Sequence, residues 1–290
     1  MNHNLKNFLS RHPKLYKLYR VIYYTYYKRH IYGFTSSLRV LPDFIVIGVV
    51  RGGTTSLYEN LSKHPCIYGS AYDELGFFDS NFHLGIHWYR SLFPNIFQKR
   101  ISKIRRGCFM TYDVTPFYIW NPTAAKRIAV LLPNAKIIAL LRNPVDRAYS
   151  NYYLGVNDGT EGLSFEDAIK DEIDLLNEES SEDSTIKYTR RRSYIAKGLY
   201  VDQLKIWLDL FPRENILILR TEDFQLDPQK TCSKIFKFLN LPDHMIKFEK
   251  VNVGKYPNMK QETREFLLKF FEPHNRRLKD LTTIDFEWDI

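Results

Sequence analysis

Residues 48–55 of this 290-residue chain, Gly48-Val-Val-Arg51-Gly52-Gly53-Thr54-Thr55, follow a short apolar run and precede a segment with helical spacing. In that position Gly52 and Gly53 let the main chain approach a ligand closely. A helix starting near Thr54 would aim its free N–H groups and positive dipole end at an anion. The spacing resembles the phosphate loop G-x-x-x-x-G-K-[ST], with one departure. Thr54 stands where the lysine belongs, and the loop's positive charge is Arg51. The missing lysine argues against ATP hydrolysis or phosphorylation by ATP, and a glycine-rich turn after a strand is also met as a plain structural turn. Arg142 supplies independent support, because it directly follows another apolar run, with Arg147 and Ser150 on the helix expected after it. Cations and a hydroxyl there suit a second phosphate, although Arg142-x-Pro-x-x-Arg147 alone could be a surface ion-pair cluster. Together the two strand-end sites suggest a ligand phosphorylated at both ends.

These residues need a scaffold, and the patterning describes one. Residues 43–48 (DFIVIG) read as a buried strand, followed by a helix over 54–63 with Leu57 and Leu61 on its apolar side. The same strand-to-helix phrase recurs at 135–141 with a helix through Tyr153. A third strand is expected at 215–220, preceded by a helix over 200–211. Alternation of this kind predicts an α/β fold, a doubly wound and mainly parallel sheet flanked by helices, with ligands at the carboxyl ends of the strands. Residues 157–192 break the pattern: 158–183 hold eleven acids and a single base, Lys170, and Lys187 and Arg190 to Arg192 follow. Ser164 reads as an N-cap, with Phe165, Ile169, Ile173 and Leu176 as one apolar stripe. We read the segment as a lid-like insertion, its acids chiefly a solvated face, ending in a mobile stretch near 178–184.

Composition sets outer limits. A content of 44% hydrophobic residues supports a real core. The longest apolar run, 44–50, falls far short of the ~18–20 residues needed to span a bilayer. No apolar h-region or small-residue cleavage site marks a secretory signal. Residues 1–40 hold eight Lys or Arg and no acid, so the rest of the chain contributes only +1 of the net +9. That excludes a globally basic nucleic-acid binder and describes a neutral domain, 41–290, carrying a basic arm, 1–40. Six tyrosines between Tyr16 and Tyr27 make the arm a basic aromatic helix, suited either to an anionic membrane surface or to packing on its own domain. Cys66, Cys108 and Cys232 form no disulfide or metal pattern by spacing and fit a reducing, cytoplasmic compartment.

A series of further motifs carries a family resemblance: residues 73–79 (DELGFFD), 88–94 (WYRSLFP), 113–118 (DVTPFY), 141–150 (LRNPVDRAYS), 198–207, 239–242, 256–259 (YPNM) and 270–275 (FFEPHN). In this order they resemble the sulfotransferases that use 3′-phosphoadenosine 5′-phosphosulfate (PAPS), in particular the bacterial members and the heparan sulfate branch. The likeness runs from Asp43 to the end. It implies that Arg51, Gly52, Gly53, Thr54, Thr55 and Ser56 hold the 5′-phosphosulfate, in a loop that usually has Lys at the place of Arg51. It implies that Arg142 and Ser150 hold the 3′-phosphate, that Glu74 is the general base, and that Lys255 and Tyr256 belong to a loop closing over the nucleotide. The reaction implied is sulfuryl transfer to an acceptor hydroxyl with PAP as product and no metal.

Elementary chemistry agrees with those roles. The transfer needs in-line geometry, a base for the hydroxyl proton, and positive charge at the phosphate leaving group. Phe77 and Phe78 are expected to wall Glu74 and raise its pKa. Asp73, Gly76 and Val114 depart from the Lys, His and Lys common in heparan-type members. That turns the expectation from a polyanionic acceptor toward a neutral sugar, a glycolipid or another hydroxylated molecule. Asp79 is read as an orienting group, and Tyr194 and Tyr200 as neighbours of the nucleotide. His83 and His87 have metal-pair spacing without a third ligand. The competing readings are a phosphate-loop nucleotide or sugar kinase and a non-catalytic membrane-surface binding protein.

Overall fold

The β-branched apolar run after Asp43 forms β1 (Phe44–Val46), buried at every residue. A computed structural model of the chain describes residues 33–178, 193–248 and 256–288. The basic arm up to residue 32, residues 179–192 with their arginine cluster, and Lys255 lie outside the described residues. The strands β2 (Ile67–Gly69), β3 (Met110–Val114), β4 (Lys136–Leu141) and β5 (Ile216–Arg220) join β1 in one sheet of order β2-β3-β1-β4-β5. Every pairing is parallel. The helices that alternate with them are α1 (Thr54–Leu61), α2 (Gly85–Ser91), α3 (Ile96–Arg106), α4 (Pro122–Leu131) and α5 (Pro144–Asn157). After these come α6 (Phe165–Glu178), α7 (Tyr200–Leu210), α8 (Thr221–Leu226), α9 (Pro228–Phe238) and α10 (Gln261–Thr282).

A parallel sheet must be covered on both faces, and alternate residues show it. Ile45, Ile137 and Ala139 pack toward Ile128, Leu204 and Trp207, on α4 and α7. Phe44, Val46, Ile138 and Leu140 pack toward Leu57, Ile235 and Phe236, on α1 and α9. The doubly wound α/β expectation holds. The chain leaves β1 toward β2 on one side and leaves β4 toward β5 on the other. The crevice of this fold therefore opens between the carboxyl ends of neighbouring strands β1 and β4.

Two strands escaped the sequence reading. β2 is short, and β3 is Met-Thr-Tyr-Asp-Val, whose polar residues interrupt any apolar run although four of its five positions are buried. Their pairing overturns the reading of the cysteines. Ile67 is registered against Met110, so Cys66 and Cys108, just ahead of the two strands, meet and are joined in a disulfide with Cα atoms 5.4 Å apart. Spacing along the chain cannot reveal a pairing made by register, and the cysteines no longer argue for a reducing compartment. Cys232 is the free thiol, buried and pushed up to about 12 by that burial.

In the acidic segment Ser164 accepts the Asp167 N–H at 3.1 Å, as an N-cap should. Phe165, Ala168 and Ile169 pack with Val145 and Ala148 of α5 and with Leu267 and Phe271 of α10. The reading of the acids as a solvated face fails at Glu161 and Glu172, both buried. Glu172 accepts the N–H groups of Tyr194, Ile195 and Ala196 at 2.6–2.9 Å, so it ties α6 to the chain entering α7.

Candidate active site

The glycine loop is built by close approach. Val49 donates to the Leu140 carbonyl at 3.0 Å, pressing the loop onto β4. A side chain on Gly48 would meet Thr54 Cγ2 at 2.7 Å, and one on Gly52 would meet the Val49 carbonyl at 2.8 Å. Gly53, the residue ahead of α1, has φ +83°, and no side chain caps the helix there. The first N–H groups of α1 are therefore left for an anion. Arg51 also sits in the left-handed region, at φ 69°, a conformation that costs a non-glycine residue about 1–3 kcal/mol. Its Nε donates to Ser150 Oγ at 3.0 Å, and its carbonyl accepts from Arg142 Nη1 at 3.0 Å. Thr221 Oγ1 donates to the Gly52 carbonyl at 2.7 Å. The two anion loops are thus one hydrogen-bonded unit. Burial lowers the pKa of the half-buried Arg51 guanidinium, with the Tyr256 phenol opposing and the Arg142 charge adding to the shift. Two guanidinium side chains converge here, and an anion would relieve their repulsion.

The neighbouring tyrosines and Arg147 are elsewhere. Arg147 is fully buried beneath the site, its guanidinium donating to the Tyr194 carbonyl, and burial holds its pKa down. The sequence reading placed it beside a phosphate because it shares a helix with Ser150. Three residues apart, the two point to different surroundings, and Arg147 belongs to the core. Tyr200 lies under the loop, its hydroxyl donating to the Arg142 carbonyl at 2.8 Å, and the Tyr194 hydroxyl donates to Glu161 at 2.8 Å. Neither lines the cavity described below. His87 meets Ser36 Oγ at 2.8 Å through Nδ1.

Glu74 is exposed and likewise left-handed, at φ 55°. Its loop is held from below. The Glu74 N–H donates to the Val114 carbonyl at 2.7 Å, the Gly76 N–H to Thr115 Oγ1 at 3.4 Å and the Phe78 N–H to the Tyr118 hydroxyl at 3.3 Å. The same Thr115 and Tyr118 hydroxyls donate to Asp113 at 2.9 and 3.1 Å, and the Tyr89 hydroxyl does so at 2.9 Å. Burial lifts the Asp113 carboxyl to about 6, against the three hydroxyl bonds that pull it down. Phe77 and Phe78 do not wall Glu74. Both are core residues that pack on Tyr89, Phe77 stacked on its ring with centroids 4.3 Å apart and Phe78 edge-on to it. Pro116 and Phe117 line the cavity instead. Asp79 accepts from the Ser80 N–H at 2.5 Å.

One cavity of about 630 Å³ gathers most of these groups. It is lined by Arg51, Gly53 and the first turn of α1 (Thr54, Thr55, Ser56). Arg142, Ser150, Glu74 and Tyr256 complete the residues expected from the sequence. Gly52 does not line it and is packed beneath the loop. Tyr256 is anchored by stacking on Tyr153, centroids 5.1 Å apart. Sequence reasoning missed the apolar side of the cavity, Phe224 and Pro228 after β5 with Phe248. The signal was available: β5 was recognised, and ligands gather at the carboxyl ends of all such strands. Among the described residues no cluster of three or more His, Cys, Asp or Glu could hold a metal ion.

Comparison with known proteins gives this geometry a context. The sulfotransferase domain family matches residues 41–274. The chain is similar to a sulfotransferase of Alicyclobacillus acidocaldarius known from its crystal structure: 30% identity, 87% of this chain and 100% of that one covered, TM-score 0.66. It is 29% identical to the membrane-associated sulfotransferase kil1 of Dictyostelium discoideum over 87% of this chain and 67% of the relative. It is also 29% identical to mouse heparan sulfate glucosamine 3-O-sulfotransferase 3A1, over 86% of this chain and 65% of the relative. The chain thus spans about two thirds of the length of these two relatives.

Proposed function

The chain belongs to the sulfotransferase family, and from that premise we propose that it moves the sulfuryl group of PAPS to the hydroxyl of a sugar-containing or other hydroxylated acceptor. The observation that carries this reading is the convergence of Arg51, Arg142, Ser150 and the open end of α1 on a cavity that Glu74 also lines. The residues present fit a nucleoside bearing phosphates at two positions. Its 5′ side would meet Arg51 and the first turn of α1, its 3′-phosphate Arg142 and Ser150, and its base the apolar side at Phe224 and Phe248. Lys255, outside the described residues, would add charge beside Tyr256. PAPS supplies the activated sulfuryl group.

The acceptor oxygen forms its bond to sulfur while the bond from sulfur to the 5′-phosphate oxygen breaks, and Glu74 takes the hydroxyl proton. Arg51 and the α1 amides stabilise the charge that develops on the leaving phosphate. Asp73, Gly76 and the buried Val114 leave the acceptor side without the bases of heparan-type members, which favours a neutral acceptor. A membrane surface held by residues 1–40 would keep a glycolipid acceptor near the site, and deleting the arm would then weaken anionic-vesicle binding while sparing turnover. The test of the reaction is PAP release from PAPS with a panel of neutral and sulfated sugars and glycolipids. Acceptor-dependent release is expected. Absence of PAPS turnover, with Mg-dependent phosphorylation of the same sugars by ATP, would replace this reading by the kinase one.

A further inference from the structure

We propose that the outer face of α3 docks this protein on an anionic lipid surface, independently of residues 1–40 and of the acceptor's identity. The helix is Ile96-Phe-Gln-Lys-Arg-Ile-Ser-Lys-Ile-Arg-Arg106, with five bases and no acid. Local signals, not burial, account for its formation. Asn95 and Gln98 form a reciprocal capping box, Gly107 closes the other end at φ 74°, and the last-turn bases complement the dipole. Ser102 alone in the helix is buried, and it marks the side that faces the body. Turning 100° per residue from Ser102 places Phe97, Ile101 and Ile104 together on the outward side, spaced i, i+4, i+7. They are 59%, 51% and 76% exposed. Arg100 flanks this stripe on one side and Arg105 on the other, both exposed.

The remaining cations have partners in the body. Arg106 donates to the Pro65 carbonyl and to the Tyr68 hydroxyl, and Lys99 lies over the Phe109 ring at 5.7 Å. Lys103 acts with Lys99 on the carboxylate of Asp43. An apolar stripe bordered by exposed bases that have no partner among the described residues is the pattern of a helix lying in a membrane interface, with the apolar side among acyl chains and the bases at anionic headgroups. A soluble polyanion would use the bases but leave three apolar side chains in water.

The placement suits such a role. The Cys66–Cys108 disulfide fastens the C-terminal end of α3 beside the start of β2. The N-terminal end is held where Arg39 bridges Asn95 and Val40 donates to the Pro94 carbonyl. The chain reaches that bridge through Phe34 and Leu38, which are exposed as well. Both ends of α3 therefore meet segments that enter the sheet, whereas the cavity lies at the carboxyl ends. A surface bound at α3 leaves the cavity open.

The experiment is co-sedimentation of the full chain with vesicles of phosphatidylcholine alone and of phosphatidylcholine with phosphatidylglycerol, for three proteins. These are the unaltered chain, R100E/R105E, and F97S/I101S/I104S. Residues 1–32 stay in place throughout, so their contribution is common to all three. Circular dichroism confirms that the exposed substitutions leave the fold intact. Each base near an anionic surface strengthens binding about fivefold, so R100E/R105E is expected to weaken binding at least about twentyfold. The apolar variant is expected to lose about tenfold or more. PAP release with soluble acceptors should be unchanged in both. Binding to the anionic vesicles that is absent from the unaltered chain, or equal in all three proteins, overturns the proposal. So does a dimer that the apolar variant turns into a monomer, which would give the face to a second copy. Loss only in the charge variant, matched by the same loss of heparin binding, would also overturn it by reducing α3 to a polyanion patch.

Discussion

Two loops that line the cavity carry a residue with positive φ, Arg51 in one and Glu74 in the other, yet they are held by opposite means. The glycine loop rests on main-chain contact with β4 and on two guanidinium groups, that of Arg51 donating to the Ser150 hydroxyl and that of Arg142 to the Arg51 carbonyl. The Glu74 loop rests on hydroxyls that accept its N–H groups and donate to one buried carboxylate, Asp113. An anion would complete the first arrangement, whereas the hydrogen bonds of the second close among its own residues. The cavity therefore pairs a side that waits for charge with a side that holds a carboxylate in place. Donor binding should depend on the first and proton transfer on the second.

The largest effect is expected where the second loop meets the chemistry. Glu74→Gln keeps shape and hydrogen bonding, so the fold and donor binding should persist while kcat for PAP release falls about 10²–10⁴-fold. Full turnover in that variant would break the comparison. On the first side, Arg51→Ala should lower kcat by about 10²–10³-fold through lost stabilisation of the leaving phosphate, and Arg51→Lys should keep much more. Equal losses for Lys and Ala would assign the side chain to the bond with Ser150 instead.

Asp113 sharpens the contrast through pH. Its folded carboxyl keeps its proton up to about 6, whereas the unfolded group releases it near 3.8. The folded state thus binds the extra proton, so this group's stabilisation is full below pH 3.8 and is lost as pH rises through 6. The difference amounts to about 3 kcal/mol. Denaturant unfolding of Asp113→Asn and of the unaltered chain, compared between pH 4 and 6.5, should show that fall only in the latter. Parallel curves would remove the carboxylate from the account. The smallest effect belongs to the glycine loop's support: Thr221→Val removes the bond to the Gly52 carbonyl and should cost about 1 kcal/mol, read as a lower urea midpoint.

The same contrast explains what was legible in the sequence. Glycines that must approach β4, and arginines that directly follow apolar runs, are written in residue types and spacing, so the first loop, β1, β4 and β5 could be read directly. Glu74 became visible through family motifs, not through its own pattern. Its support was hidden because Asp113 sits in a strand, where an acid looks like an interruption, and its three hydroxyl partners come from two separate segments. Arg147 misled for a related reason, since its position on α5 suited a phosphate while its side chain turned into the core. The Cys66–Cys108 bond and the apolar side at Phe224 and Phe248 depend on which strands become neighbours and on how loops fold at their ends. No local pattern in the chain encodes the first, and for the second only the position of Phe224 after β5 was legible.

The most direct test is calorimetric titration with PAP, beside ADP and AMP, of the unaltered chain and of Arg142→Ala. The account predicts PAP binding clearly tighter than that of either control, with the preference lost in Arg142→Ala because the 3′-phosphate has lost its cation. ADP binding as tight as PAP, or a PAP preference that survives in Arg142→Ala, would contradict a cavity built for two separated phosphates.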